Sequence, residues 1–246
     1  MAGDAPERAA ERARQDFMIG RIARMLDGAG HVAVGSTSPV PAAAALLARR
    51  RDPGMRVSLL GSERHNVFTD GNRELFDCAA QGRIDAFFLS GGQIDGQGRI
   101  NLVGTGAYPG RGSRFPGSFG SAFLYPMVPR VILFREAHGP RTLVDTVDFV
   151  SAAPGSPERG DRNAGPHALV TGRAVFGFAQ GRFELAALAA GETPEGIATL
   201  TGFGFACRTP LERDLADAAL GAEIDAVVRA DLADDYPAFA RRRLGP

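Results

Sequence analysis

A chain of 246 residues, 44% of them hydrophobic, is long enough to bury one large core or two small ones. Its 28 basic residues are balanced by 28 acidic ones, which removes the net attraction that a nucleic-acid partner would need. Every basic residue is arginine, so lysine Schiff bases and the phosphate-loop lysine are excluded.

The opening segment, MAGDAPERAAERARQDF, is charged and has no apolar run, so it reads as neither a signal peptide nor an anchor. Residues 5–27 carry Met18, Ile22, Met25 and Leu26 at helical spacing, and Asp27-Gly28-Ala29-Gly30 ends that helix. His31–Gly35 is a short buried strand. Ser38 then reads as a cap and Pro39 as the first-turn residue of an alanine-rich helix from Val40 to Arg51. Arg49, Arg50 and Arg51 complement the dipole at its end. Val57–Leu60 is the next strand, with Gly61-Ser62-Glu63-Arg64-His65 at its carboxyl end. A helix from Arg73 to Gln81 leads into the apolar strand Ala86–Leu89. Strand and helix alternate, which predicts a parallel sheet with helical crossovers.

The stretch that follows is rich in glycine: SGGQIDGQGRINLVGTGAYPGRGSRFPGSFGSA, residues 90–122. A strand opening into glycine backbone exposes N–H groups and lets a ligand approach the main chain. Arg111 and Arg114 stand in that loop without a neighbouring carboxylate, and both can pair with phosphate or carboxylate. Val131–Phe134 is another strand, and Val147–Val150 reads as strand-like. Residues 153–166 form a polar loop. Ala168–Thr171, Val175–Phe178 and Phe183–Ala187 are strands, the last two a hairpin over Ala179–Gly181. Thr193 caps a helix with Pro194 in its first turn, Leu211–Leu232 reads as the last helix, and Arg241-Arg242-Arg243 as a solvated tail.

Gly91-Gly92-Gln93-Ile94-Asp95, Gly98 and Asn101, followed by Gly117–Gly120, resemble the β subunit of class I coenzyme A transferases, such as glutaconate and 3-oxoacid CoA-transferases. TPEGIATLTGFGF resembles the C-terminal signature of the same family. The resemblance implies a single α/β domain over residues 1–246, a mainly parallel open sheet flanked by helices, with residues 1–16 free to fray and 240–246 a tail. It implies an α-type partner subunit, acyl-CoA as substrate and no tightly bound cofactor. In that family a glutamate at a strand end attacks the thioester, and acyl-glutamyl anhydride and glutamyl-CoA follow. Glu63 stands in the matching place and is the candidate nucleophile. The resemblance assigns Gly91, Gly92, Gln93, Arg111, Arg114, Gly117, Ser118 and Gly120 to coenzyme binding.

The segment between Glu63 and Arg73 is shorter than in the family, and ungapped counting sets Gly61, or even Leu60, rather than Glu63 at the glutamate position. Two alternatives therefore stand beside CoA transfer. One is thioester hydrolysis, C–C cleavage or decarboxylation on the same scaffold; the other is a non-catalytic subunit that binds acyl-CoA. His65, two residues from Glu63, has the chemistry of an acid or base, whereas His31, His138 and His167 read as structural. No His or Cys spacing suggests a metal. The widely separated Cys78 and Cys207 fit a reducing cytoplasm.

Overall fold

The computed structural model describes residues 4–109, 112–214 and 217–245. Helix α1 (Asp4–Met25) buries Phe17, Met18, Ile19 and Ile22, and leads to strand β1 (His31–Val34). Then come α2 (Pro39–Arg51), β2 (Arg56–Leu59), α3 (Gly71–Ala80) and β3 (Ala86–Leu89). Two short strands, β4 (Gln93–Asp95) and β5 (Ile100–Asn101), precede α4 (Ser121–Met127), β6 (Arg130–Arg135) and β7 (Leu143–Val144). The remainder is β8 (Ala168–Thr171), β9 (Ala174–Ala179), β10 (Arg182–Leu188), α5 (Pro194–Thr199), β11 (Ala206–Arg213), α6 (Ala218–Val227) and α7 (Pro237–Leu244). Helix α6 runs on into a π turn, Val228–Leu232.

Eight strands form one sheet in the order β11-β10-β9-β8-β6-β3-β1-β2, and β5-β4-β7 form a small second sheet. The pairs β2·β1, β1·β3, β3·β6 and β6·β8 are parallel, as is β10·β11, while β9 runs against both its neighbours. The expected single α/β domain with a mainly parallel sheet is the fold found.

Strand alternation explains the two cores. Val32, Val34, Phe88, Ile132 and Val170 face α1, α2 and α6. Ala33, Phe87, Leu89, Val131, Leu133 and Leu169 face the other way, toward α3, α4 and the small sheet. With both faces covered, the strands read as continuous apolar runs, which is why they are legible in the sequence. The β9–β10 hairpin turns at Gln180 and Gly181, with φ of 51° and 76°, the left-handed pair that matches strand twist.

The structure departs from expectation in four places. Leu211–Arg213 belongs to β11, and the last helical region starts only at Ala218, where Asp217 accepts hydrogen bonds from the Ala219 and Leu220 N–H groups at 2.9 and 3.2 Å. Val147–Val150 is not a strand, because side chains of β4 take its N–H groups. Val147 N–H donates to Asp95 and Asp148 N–H to Gln93. Ser38 occupies the N-cap position of α2 but makes no side-chain capping bond. Within the ends expected to fray or trail, residues 4–16 and 240–244 are helical, and Arg243 in α7 is buried, while residues 1–3 and 246 lie outside the described residues.

Candidate functional site

A crevice of about 680 Å³ opens at the carboxyl ends of β1, β3 and β6. Parallel sheets place ligands there, because the strand ends and the loops leaving them diverge around a gap. Ser38 enters it from the start of α2, Ser90-Gly91-Gly92 from the end of β3, and Arg135 and Glu136 from the end of β6. Phe115, Pro116 and Gly117 close it from the glycine-rich loop.

The glycines matter here through close approach. A Cβ on Gly92 would fall on the Phe115 ring, and one on Gly91 would lie 2.6 Å from the Gln93 carbonyl oxygen. The Phe115 wall can therefore lie against the end of β3 only with glycine at 92, and the turn into β4 needs glycine at 91.

The small sheet is the frame behind this wall. Gln93 is buried and fully engaged: its Oε1 accepts from Asn101 Nδ2 at 2.7 Å, and its Nε2 donates to Asp148 at 3.0 Å. Asn101 also donates to the Gly104 carbonyl at 2.7 Å and accepts from the Val103 and Gly104 N–H groups. Asp95 is fully buried and accepts from Gln97 N–H, Arg99 N–H and Arg99 Nε, the last at 2.6 Å. The residues that carry most of the sequence motif thus hold the turn that presents Gly91 and Gly92.

Of the candidate coenzyme residues, the crevice brings together Gly91, Gly92 and Gly117. Gln93 lies in the frame. Ser118 accepts a backbone bond from Ser121 at the start of α4, and Gly120 packs so closely on Phe76 that a Cβ would strike its ring. Arg114 is exposed, stacks over Tyr108 at 5.8 Å and lines a separate small cleft. Arg111 lies outside the described residues.

Glu63 is exposed, makes no hydrogen bond or ion pair with the described residues, and does not line the crevice. It rides on a closed turn beyond β2. His65 O accepts from Leu59 N–H at 3.1 Å, His65 N–H donates to Ser62 Oγ at 2.9 Å, and Arg64 Nη1 donates to the Ala230 carbonyl at 2.8 Å. His65 is buried with its Nε2 unpartnered. Burial, then the nearby Arg49 and Arg64 guanidiniums, hold its pKa below the usual histidine value and keep it neutral.

Ser90, Phe115, Arg135 and Glu136 are site residues that stand outside the candidates drawn from the sequence. A signal for them exists at β6: a charged pair directly after an apolar run sits at the carboxyl end of a parallel strand, where ligands bind. Among the described residues no cluster of three His, Cys, Asp or Glu side chains could hold a metal, and no helix is long and apolar enough to cross a membrane.

No family model matches the chain. It is 29% identical over 144 residues to the β subunit of glutaconate CoA-transferase of Acidaminococcus fermentans. That match spans 54% of this chain and about half, 53%, of the relative. The fold superposes on the decarboxylase AibA/AibB with a TM-score of 0.76 and 25% identity, covering 90% of this chain and 97% of that one. Glutaconate coenzyme A-transferase from A. fermentans superposes with a TM-score of 0.76 and 20% identity, covering 92% and 96% of the two chains. IpdAB of Rhodococcus jostii RHA1 superposes with a TM-score of 0.73 and 22% identity, over 91% and 96%. The chain is a homologue of the glutaconate CoA-transferase β subunit and has the fold of the CoA-transferase β subunits.

Proposed function

We propose that this chain is the β-type subunit of an enzyme that processes acyl-CoA thioesters, assembled with an α-type subunit, and that it transfers CoA between an acyl-CoA and a carboxylic acid. The observation that carries this reading is the crevice at the ends of β1, β3 and β6, walled by the Gly91-Gly92 backbone and by Gly117. Exposed backbone there can meet the oxyanion that develops when a thioester carbonyl is attacked.

In this reading the Glu63 carboxylate attacks the thioester carbonyl carbon. The C–S bond breaks and its electron pair leaves with CoA thiolate, giving an acyl-glutamyl anhydride. The thiolate then attacks the glutamyl carbonyl and expels the first acid, leaving a glutamyl-CoA thioester. An acceptor carboxylate reverses both steps. Glu63 carries a carboxylate that no cation or donor of the described residues holds, on a turn anchored through Arg64.

A second reading is favoured by one observation, that Glu63 stands outside the crevice wall. In it the same scaffold hydrolyses, decarboxylates or cleaves an acyl-CoA with no covalent adduct on this subunit. One experiment separates the two. The assembled enzyme is incubated with acyl-CoA donor without acceptor, reduced with borohydride and peptide-mapped. Transfer predicts a mass change at Glu63, and loss of CoA exchange in Glu63→Gln with the fold intact. Turnover without an adduct, and with Glu63→Gln still active, decides for the second reading.

A further inference from the structure

Arg135 is a half-buried guanidinium with no ion pair or hydrogen bond to any described residue. Arg49 is half-buried and unpaired among the described residues as well, but it does not line the crevice. Arg21, Arg99, Arg173 and Arg243, buried to a similar or greater degree, are each held by a carboxylate. A cation partly removed from water without a counter-charge loses hydration and gains nothing in return, unless something else brings the negative charge.

The surroundings of Arg135 fit an anion. In β6 it follows Leu133 on the face that carries Gly91, Gly92 and the Phe115–Gly117 wall, by the two-residue period of the strand. Glu136, the one carboxylate lining the crevice, is exposed and forms no ion pair with it. Ser38 enters the same crevice at the start of α2. It is 9% exposed, and its hydroxyl makes no capping bond and no hydrogen bond to another described side chain. The 13-residue helix α2 has no acidic residue in its first turn, so no side chain of its own compensates the positive end of its dipole. Pro39 and Pro41 carry no N–H, which leaves Val40 N–H as the donor of that turn beside the Ser38 hydroxyl. An unpaired guanidinium, the Ser38 hydroxyl and a helix N-terminus with no acidic residue in its own first turn thus line one cavity.

We propose that Ser38, the N-terminus of α2 and Arg135 form an anion subsite of the crevice, which takes an oxyanionic group of the ligand, a carboxylate or a phosphate. This rests on the reading of the crevice as an acyl-CoA site. Two sources could supply the group: the 3′-phosphate of the coenzyme, or a free carboxylate on the acyl chain. Arg114 lies over Tyr108 in another cleft, so the cation that this chain brings to the crevice is Arg135.

The test is calorimetric titration of the protein, purified with whatever subunit accompanies it, using two matched pairs of probes. CoA against 3′-dephospho-CoA reports on the phosphate, and glutaryl-CoA against acetyl-CoA on a second carboxylate. The wild type should favour the more anionic member of one pair by about 10-fold or more, and that pair identifies the source. Arg135→Ala should remove the preference while the less anionic member binds within about 2-fold of wild type. Arg135→Lys should keep part of it, and Ser38→Ala should reduce it a few-fold. A wild type that binds the probes without preference in either pair, or an Arg135→Ala variant that keeps the preference, overturns the subsite and leaves the thioester reading standing. A wild type that binds none of the four probes overturns both.

Discussion

His138 is set by its surroundings to be a neutral strut. Its Nδ1 lies 2.8 Å from Thr171 Oγ1 and its Nε2 3.0 Å from Thr201 Oγ1, so one ring ties the end of β8 to the end of α5. Burial, helped by the Arg173 guanidinium, pushes its pKa down to about 4. Burial also lowers His31, His65 and His167. A histidine with a depressed folded pKa takes up its proton more readily in the unfolded chain. Its contribution is therefore complete above about pH 6.5 and is lost as pH falls toward 4. His138 alone accounts for at most about 3 kcal/mol over that interval, at about 1.36 kcal/mol per unit of pKa difference. Urea denaturation at pH 7.5, 6, 5 and 4 should show falling stability, with a shallower decline in His138→Gln. A wild type equally stable at pH 7.5 and 4.5 would contradict this assignment.

At the scale of the element, the small sheet turns a sequence motif into a surface. Asp95 satisfies three groups of the 97–99 turn while fully buried, and its charge adds to desolvation in raising the pKa of the buried Tyr125. Asp95→Ala leaves those donors and the Arg99 guanidinium unpaired, and should cost about 3–5 kcal/mol in urea denaturation. Asp95→Asn keeps the shape and should cost less, about 1–3 kcal/mol. A loss below about 1 kcal/mol in the alanine variant would mean that the turn holds itself. The motif is legible in the sequence because its spacing is that of side chains meeting their own backbone. The framing role of Gln93 is not, since a sequence does not tell which amide is already bonded. β11 is hidden for a different reason. It is an exposed edge strand with Pro210 inside it, so it lacks the alternation that betrays a half-buried strand. Arg135 is marked in the sequence only by its place after the apolar run of β6; that it has no partner among the described residues is a property of three dimensions.

Across the whole molecule, the two ends of the chain close over the same core. Helices α1 and α2 pack on one face of the large sheet and α6 and α7 pack on them, and Phe239 and Ala240 of α7 join the cluster that holds Phe17, Met18 and Ile22 of α1. The lock is ionic. The Arg243 side chain is 0% exposed, with Nη2 at 2.5 Å from Asp16 and Nε at 2.8 Å from Asp225, and Arg12 reaches Asp225 from the other side. One guanidinium thus bridges α1, α6 and α7, where the charge run Arg241-Arg242-Arg243 by itself reads as a solvated end. The three arginines should therefore behave unequally. Arg243→Ala strands two carboxylates around a cavity and should destabilise the protein by about 3–5 kcal/mol. Arg241→Ala and Arg242→Ala remove exposed charges, of which, among the described residues, only Arg242 approaches a carboxylate, at 3.8 Å from Glu11, so each should stay within about 0.5 kcal/mol of wild type. Equal effects at all three positions, measured by urea denaturation at pH 7.5, would show that α7 is held by its apolar face alone. Because this lock lies on the α1 and α2 side and the crevice opens at the strand ends, Arg243→Ala should lower stability and leave probe affinity in the folded fraction unchanged. A parallel loss of affinity would instead couple the chain ends to the site through α2, whose N-terminus carries Ser38.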